Sequence, residues 1–296
     1  MKRRRRSPVS LSHEGTGMTG MNGVPGRTRS LPAAVLFAAF WSFLILPASW
    51  AQQPFAVIKG PYLQRPTPFS VTVMWESSAP SVGMVACRTA DGDEFTAPET
   101  CAVTVHEITL AGLAPSTEYW YRIVSRQGEN TVSRGPFSFR TLPVEKEPWR
   151  FIVRADVVSG RNASVHRAMA GLLARTFKED PRPAFVIATG DLVENGKRYD
   201  AWDEQFFGPE GSLYASVPLW PALGNHENSG GWYFTFFSLP HNERWYFFDC
   251  LDAHFICLDS YSDLTPEGEQ YRWLEEDLRR TDARFIFAFF HAPPFS

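Results

Sequence analysis

Hydrophobic and polar positions change their period near residue 148. Between residues 56 and 141, apolar residues alternate with polar ones in short runs at 70–75, 83–88, 102–110, 119–124 and 135–141, broken by Pro, Gly and Asp. Alternate side chains of a strand point to opposite faces, so runs of this kind predict half-buried strands closing into a small β-sandwich. Residues 142–148 form a short polar joint bounded by prolines. Beyond it strands alternate with helices. The pattern predicts strands at 151–154, 184–189 and 217–223, a hairpin at 244–250 and 254–259, and a strand at 283–290. Helices are predicted at 163–178, at 199–207 and at 266–280, the last opened by Thr265 as cap and Pro266 at the first position. That order predicts layers of sheet and helix.

The first 51 residues follow neither pattern. A basic start, an apolar run at 33–46 and the small-x-small sequence Ser49-Trp50-Ala51 read as a signal peptide, with the mature chain beginning near Gln52 and Met21 an alternative start. Pro32 and Pro47 bracket only fourteen apolar positions, whereas a membrane span needs about 20. The expected location is therefore the periplasm or the outside of the cell, with no stable membrane span.

Composition sharpens this picture. At 44% hydrophobic and 15% aromatic residues the chain is no disordered polymer. Seven of its 29 Lys and Arg fall in residues 1–51, which leaves 22 bases against 31 acids in the remainder. An acidic body without a basic run argues against nucleic-acid binding. Four cysteines form no CxxC pair. Cys87 and Cys101 flank a turn and, in an oxidising compartment, could cross-link neighbouring strands; Cys250 and Cys257 are out of register across a turn and read as buried thiols.

The candidate chemistry lies where strands end. Asp156 follows the first strand after the joint, Asp191 the second, Asn225 and His226 the third, and His291 the last. The carboxyl rim of an open α/β sheet is where ligands bind, so these side chains are expected to share one crevice. Carboxylate, amide and imidazole donors together suit first-row metals, and such a set permits hydrolysis by metal-activated water. Each residue also has a plain structural use: an Asp after Gly caps a segment, Asn-His makes a turn, and a strand-end His is often satisfied by the backbone. His106, His166, His241 and His254 read as structural or surface residues, with His166, on the helix after Asp156, a further site candidate. No Gly-x-Ser-x-Gly elbow occurs, and Gly190 to Lys197 has the wrong spacing for a P-loop.

Gly190-Asp191, Gly224-Asn225-His226-Glu227 and the strand-end His291 resemble the successive blocks of the calcineurin-like metallophosphoesterases. In front of them Trp75 and the segment Leu113-Ala114-Pro115-Ser116-Thr117-Glu118-Tyr119-Trp120 resemble the fibronectin type III pattern. With Gly60-Pro61-Tyr62-Leu63-Gln64 as an opening, the chain is similar to the purple acid phosphatase branch. The resemblance implies a fibronectin type III-like β-sandwich over residues 52–143, followed by an α/β metallophosphoesterase domain over 149–296, an incomplete α/β/β/α sandwich. It further implies two divalent or trivalent metal ions (Fe, Zn or Mn) and a small phosphate ester as substrate. Asp156 would bind the first metal, Asp191 would bridge, and Asn225 and His291 would bind the second. His226 would hold the substrate phosphate and assist protonation of the leaving group.

Two departures from the family pattern matter. Glu194 stands where the purple enzymes supply a Tyr three residues after the bridging Asp, which implies that the charge-transfer colour is absent. The Gly-His-x-His block that completes both metals does not occur, and the sequence stops five residues after His291 on an apolar strand. A truncated chain, weak metal binding and little turnover are expected on that basis. The alternative function is a non-catalytic exported binding protein or decayed enzyme with a degenerate metal site. Substrate class, metal identity and oligomeric state are left open by the sequence.

Overall fold

Val57–Gln64 (β1) pairs antiparallel with Ser70–Thr89 (β2), a strand of twenty residues that organises the first half of the protein. The computed structural model describes residues 54–155, 163–228 and 230–293. The first part of β2 pairs with β1 and with Val103–Ala111 (β4), while its second part pairs with Glu94–Pro98 (β3) and Glu118–Gln127 (β5). Asn130–Arg140 (β6) pairs with β5. β2 changes layer where its register with β4 shifts between Glu76 and Ser81. There the Ser77 hydroxyl bonds to Ser81 Oγ at 3.0 Å and donates to the Ala79 carbonyl at 2.9 Å. The runs at 70–75 and 83–88 are thus one strand bent by Ser-Ser-Ala-Pro-Ser, which a two-residue period registers as a gap. β1 escapes the pattern because Gly60-Pro61 interrupts it; proline is tolerated at a bulge or an edge, and the register shifts there.

Trp75, Val73, Leu63, Val85, Tyr121 and Ile123 fill the sandwich. Trp75 is fully buried and its indole N–H donates to Ser125 Oγ on the opposing layer at 2.8 Å. The Tyr119 hydroxyl accepts from the Ala114 amide, five residues upstream, at 2.8 Å. This is the tyrosine corner of immunoglobulin-like sandwiches. All four cysteines are free, which corrects the expected Cys87–Cys101 link. Cys87 is buried opposite Phe95 and Tyr121, whereas Cys101 is exposed beyond the end of β3. Burial pushes the thiols of Cys87 and Cys250 up to about 12, so neither is a reactive thiolate.

The second half stacks two three-stranded sheets. Ile152–Arg154 (β7), Val186–Ala188 (β8) and Leu219–Pro221 (β9) run parallel. Tyr246–Cys250 (β10) forms a hairpin with Ala253–Cys257 (β11), and Phe285–Phe289 (β12) lies parallel to β11. Aromatic rings join the sheets: Trp220 stacks on Phe248 with centroids 4.0 Å apart, and Phe185 meets Phe255 edge-on at 5.3 Å. Ala163–Thr176 (α1) lies by the first sheet, where Leu173 enters the core. Tyr199–Ala201 (α2) runs into a π-helical turn, Trp202–Phe207, and then Gly208–Glu210 (α3). The widened turn seats Trp202, Phe206 and Phe207 in the core together. Short helices Asn225–Asn228 (α4) and Trp232–Phe236 (α5) follow β9.

Glu269–Arg280 (α6) covers the second sheet through the His254–Asp277 pair. It begins later than expected, with Gly268 and not Thr265 at its cap. The Thr265 side chain is engaged elsewhere, because its amide and hydroxyl both donate to Asp263 Oδ1 and its carbonyl accepts from Gly268 in a turn.

The sandwich is bound to the α/β half by specific bonds. Tyr62 and Tyr121 hydroxyls donate to the carbonyls of Phe236 and Ala215 at 2.6 and 2.8 Å. The buried Lys59 ammonium lies 2.6 Å from Glu76 and 3.2 Å from Asp203. Residues from Gln52 to Ser296 therefore pack as one unit, with Tyr62 and Met74 contributed to the second core.

Candidate active site

Two glycines let the loops after β8 and β9 touch. Gly190 has φ +90° and Asp191 follows at φ +50°, so the chain turns sharply there. A Cβ on Gly190 would come within 2.8 Å of His291 Nδ1 and 2.9 Å of the Gly224 backbone. One on Gly224 would sit 2.1 Å from Asp191 Oδ1. The contact therefore requires glycine on both sides.

Around it stand four of the five residues singled out as metal-binding or catalytic. Asp191 Oδ2 lies 3.2 Å from His291 Nε2 and 3.7 Å from His226 Nε2. Asn225 Oδ1 lies 3.1 Å from His291 Nε2. The Asp191 Oδ1 atom is engaged separately, accepting from the His226 amide at 3.1 Å. His226 is the fourth residue, at the rim and partly exposed. Asp156 lies outside the described residues. His166 is buried on α1 near Arg154 and makes no described contact with this group. Burial lowers its pKa, and the Arg154 charge adds to the effect.

Both site histidines are held in the same way. His291 Nδ1 lies 2.8 Å from the Thr189 carbonyl, and His226 Nδ1 contacts the Glu194 carbonyl. A carbonyl only accepts, so each Nδ1 carries its proton and each Nε2 faces the cleft. An imidazole fixed by its far nitrogen is the arrangement that orients a metal ligand or proton donor. His291 comes from the second sheet, and Ser260 Oγ steadies its loop by donating to the Ala292 carbonyl at 3.2 Å and accepting from the Ala292 amide at 3.1 Å.

Glu227 was not assigned a role from the sequence, although it stands in the Gly-Asn-His-Glu block. It is fully buried. Its Oε2 accepts from the amides of Asp191 (2.9 Å) and Gly224 (3.1 Å), and its Oε1 from Val193 (3.0 Å). Burial raises its pKa to about 7 against the opposing Val193 amide, and the nearby Asp191 charge adds to the rise. Its place three residues after Gly224, at the end of an apolar strand, was the available signal. Tyr261, whose hydroxyl lies 3.2 Å from Asn225 Oδ1, had no local signal, since nothing in its surrounding sequence points across to another sheet.

The donor set fits a metal at one position. Carboxylate Oδ2, amide Oδ1 and imidazole Nε2 converge there, a combination suited to first-row ions. Among the described residues no three His, Cys, Asp or Glu side chains form such a group, because the third donor is the amide of Asn225. Two concavities of about 660 Å³ lie elsewhere, one beside His254 and Trp273, the other beside Trp149 and Arg182.

Residues 150–296 match the calcineurin-like phosphoesterase family and form a domain of that family. Purple acid phosphatase 21 of Arabidopsis thaliana is 28% identical over 211 residues, covering 65% of this chain and 44% of the relative. Acid phosphatase type 7 of Homo sapiens is 29% identical over 191 residues, covering 60% and 41%. The chain thus spans under half the length of these curated relatives. A solved purple acid phosphatase from yellow lupin seeds shares the fold, with a TM-score of 0.67 at 18% identity over 79% of this chain and 50% of that one. The chain is thus similar to purple acid phosphatases in sequence and shares the fold of one of them.

Proposed function

We propose that the protein is an exported, metal-dependent phosphoesterase of the acid phosphatase type, acting on small phosphate esters at the rim formed by Asp191, Asn225, His226 and His291. The convergence of Asp191 Oδ2 and Asn225 Oδ1 on His291 Nε2, at 3.2 and 3.1 Å, carries this reading. Asp191, Asn225 and His291 would hold one metal ion, and Asp191 with Asp156 a second. Bound metal would supply Lewis-acid polarisation of the phosphoryl group and activation of water. That chemistry lets an acidic protein accept a phosphate ester without a basic patch.

The remaining work falls to this chain's own groups. His226 presents Nε2 to the cleft with Nδ1–H tied to the Glu194 carbonyl. In its imidazolium form it would donate a hydrogen bond to a phosphate oxygen and pass the proton to the departing alkoxide. Asp191 Oδ2 lies 3.7 Å from that Nε2. Export rests on the pattern of residues 1–51; among the described residues no helix is long and apolar enough to cross a membrane.

Metal content of the purified protein and of Asp191→Ala and His226→Ala variants, measured by elemental analysis after loading with Mn or Zn, tests the assignment. Asp191→Ala should lose metal. His226→Ala should keep it and lose turnover of an aryl phosphate. Equal metal in the wild type and Asp191→Ala would remove the basis of the proposal, and loss of metal from His226→Ala would make His226 a ligand. Amino-terminal sequencing of the exported protein should begin near Gln52.

A further inference from the structure

Tyr261 reaches the site from the second sheet. It follows β11, and its loop is fixed from below by the fully buried Asp259. Asp259 Oδ1 accepts from the Tyr261 amide at 2.8 Å and Oδ2 from the Ser262 hydroxyl at 2.7 Å, while Arg244 Nη1 donates to Oδ2 at 2.9 Å. Gln270 closes the loop by accepting from the Asp259 amide and donating to its carbonyl. The Tyr261 ring lies 6.3 Å from that of His291. Its hydroxyl points to Asn225 on the first sheet, 36 residues earlier in the chain, at 3.2 Å.

We propose that Tyr261 is a positioning residue of the metal site, donating its phenolic hydrogen to Asn225 Oδ1 so that the amide presents oxygen, and not nitrogen, to the position shared with Asp191 and His291. The inference rests on the proposed role of Asn225 as a metal ligand. An amide has two chemically opposite ends of nearly the same shape, and only the oxygen can ligate a cation. Asn225 is exposed, so no packing fixes which end faces inward. Two groups meet Oδ1 in the structure, His291 Nε2 and the Tyr261 hydroxyl. With the imidazole proton on Nδ1, the hydroxyl is the one that donates. A cation held by His291 Nε2 would take one lone pair of Oδ1 and leave the other to the Tyr261 hydroxyl. Partners that orient a ligand in this way are typically worth about 10- to 100-fold in metal affinity.

The test is calorimetric titration of the whole chain with Mn²⁺, and separately with Zn²⁺, for the wild type, Tyr261→Phe, Asn225→Asp and the double variant. Tyr261→Phe should weaken binding about tenfold with the melting temperature of the metal-free protein unchanged, since Tyr261 is 39% exposed. Aspartate has oxygen at both ends and no wrong orientation. Tyr261→Phe should therefore cost less than about twofold in affinity when added to Asn225→Asp, a rescue that simple loss of structure would not show. Equal affinity of wild type and Tyr261→Phe, the same tenfold loss in both backgrounds, or a lowered melting temperature of metal-free Tyr261→Phe would overturn the proposal. Absence of binding by the wild type would instead overturn the metal-site reading, and this inference with it.

Discussion

Glu227 Oε2 accepts a hydrogen bond from the backbone amide of Asp191 at 2.9 Å, 36 residues away in sequence. The same carboxylate takes the Gly224 and Val193 amides. One buried side chain thus sets the spacing of the two loops that supply Asp191 and Asn225. Glu227→Gln turns one acceptor into a donor facing amides that can only donate. A loss of about 1–3 kcal/mol in stability is expected, with weaker metal loading; urea unfolding and elemental analysis measure the two. Unchanged values for both would show that the loops hold their spacing without Glu227.

A second buried acid supports the base of β7. Glu210 Oε1 accepts from Arg154 Nη2 at 3.2 Å and Oε2 from the Tyr214 hydroxyl at 2.9 Å, with both charged groups removed from solvent. Removing one member of a buried pair leaves the other uncompensated. Glu210→Ala is expected to destabilise the protein by about 3–5 kcal/mol, and Tyr214→Phe by about 1 kcal/mol. Denaturant titration separates them, and similar midpoints for the two variants would contradict the argument.

His254 gives the second sheet a pH dependence. Burial works against its charge, but hydrogen bonds to Asp277 and Asp249, at 2.8 and 2.6 Å, outweigh it and raise its pKa above 6.5. A pKa raised by folding stabilises the native state fully below the unfolded value and ceases to do so as pH climbs through the folded one. The melting temperature should therefore fall as pH rises from just above 6.5, by more in the wild type than in Asp277→Asn. Parallel curves for the two proteins would remove His254 as the source.

Among the described residues β12 lies at the edge of its sheet, with Phe285, Ile286 and Phe287 each at least 40% exposed. Unpaired edges bearing apolar residues template association. Phe287 stacks on Phe255 at 5.0 Å, whereas the side chain of Ile286 points to the other face. Ile286→Lys should lower light scattering at a fixed protein concentration and change stability by no more than about 0.5 kcal/mol. Scattering as strong as in the wild type would place the sticky surface elsewhere.

Much of the architecture was legible because it follows from period. The change from alternation to strand–helix succession located both halves, and the order Asp191, Asn225, His291 marked three strand ends. What escaped depends on contacts between distant segments. The bend in β2 looks like a break because the Ser77 hydroxyl, which also meets Ser81 Oγ, satisfies the Ala79 carbonyl where the pattern lapses. Thr265 had the chemistry of a helix cap, but Asp263 captured it first. The partners of Cys87 were set by strand register and not by its nearness to Cys101. Glu227 and Tyr261 act on residues 36 positions away, a distance at which local sequence carries no trace of the pairing.

The rim draws Asp191 and Asn225 from the parallel sheet and His291 from the other, and His291 closes on Thr189 across 102 residues. Anything that ties these side chains together also closes a long chain loop and rivets one sheet to its neighbour. Occupancy of the rim is then a mechanical fastening for the fold, so that resistance to unfolding and readiness for chemistry rise and fall as one property.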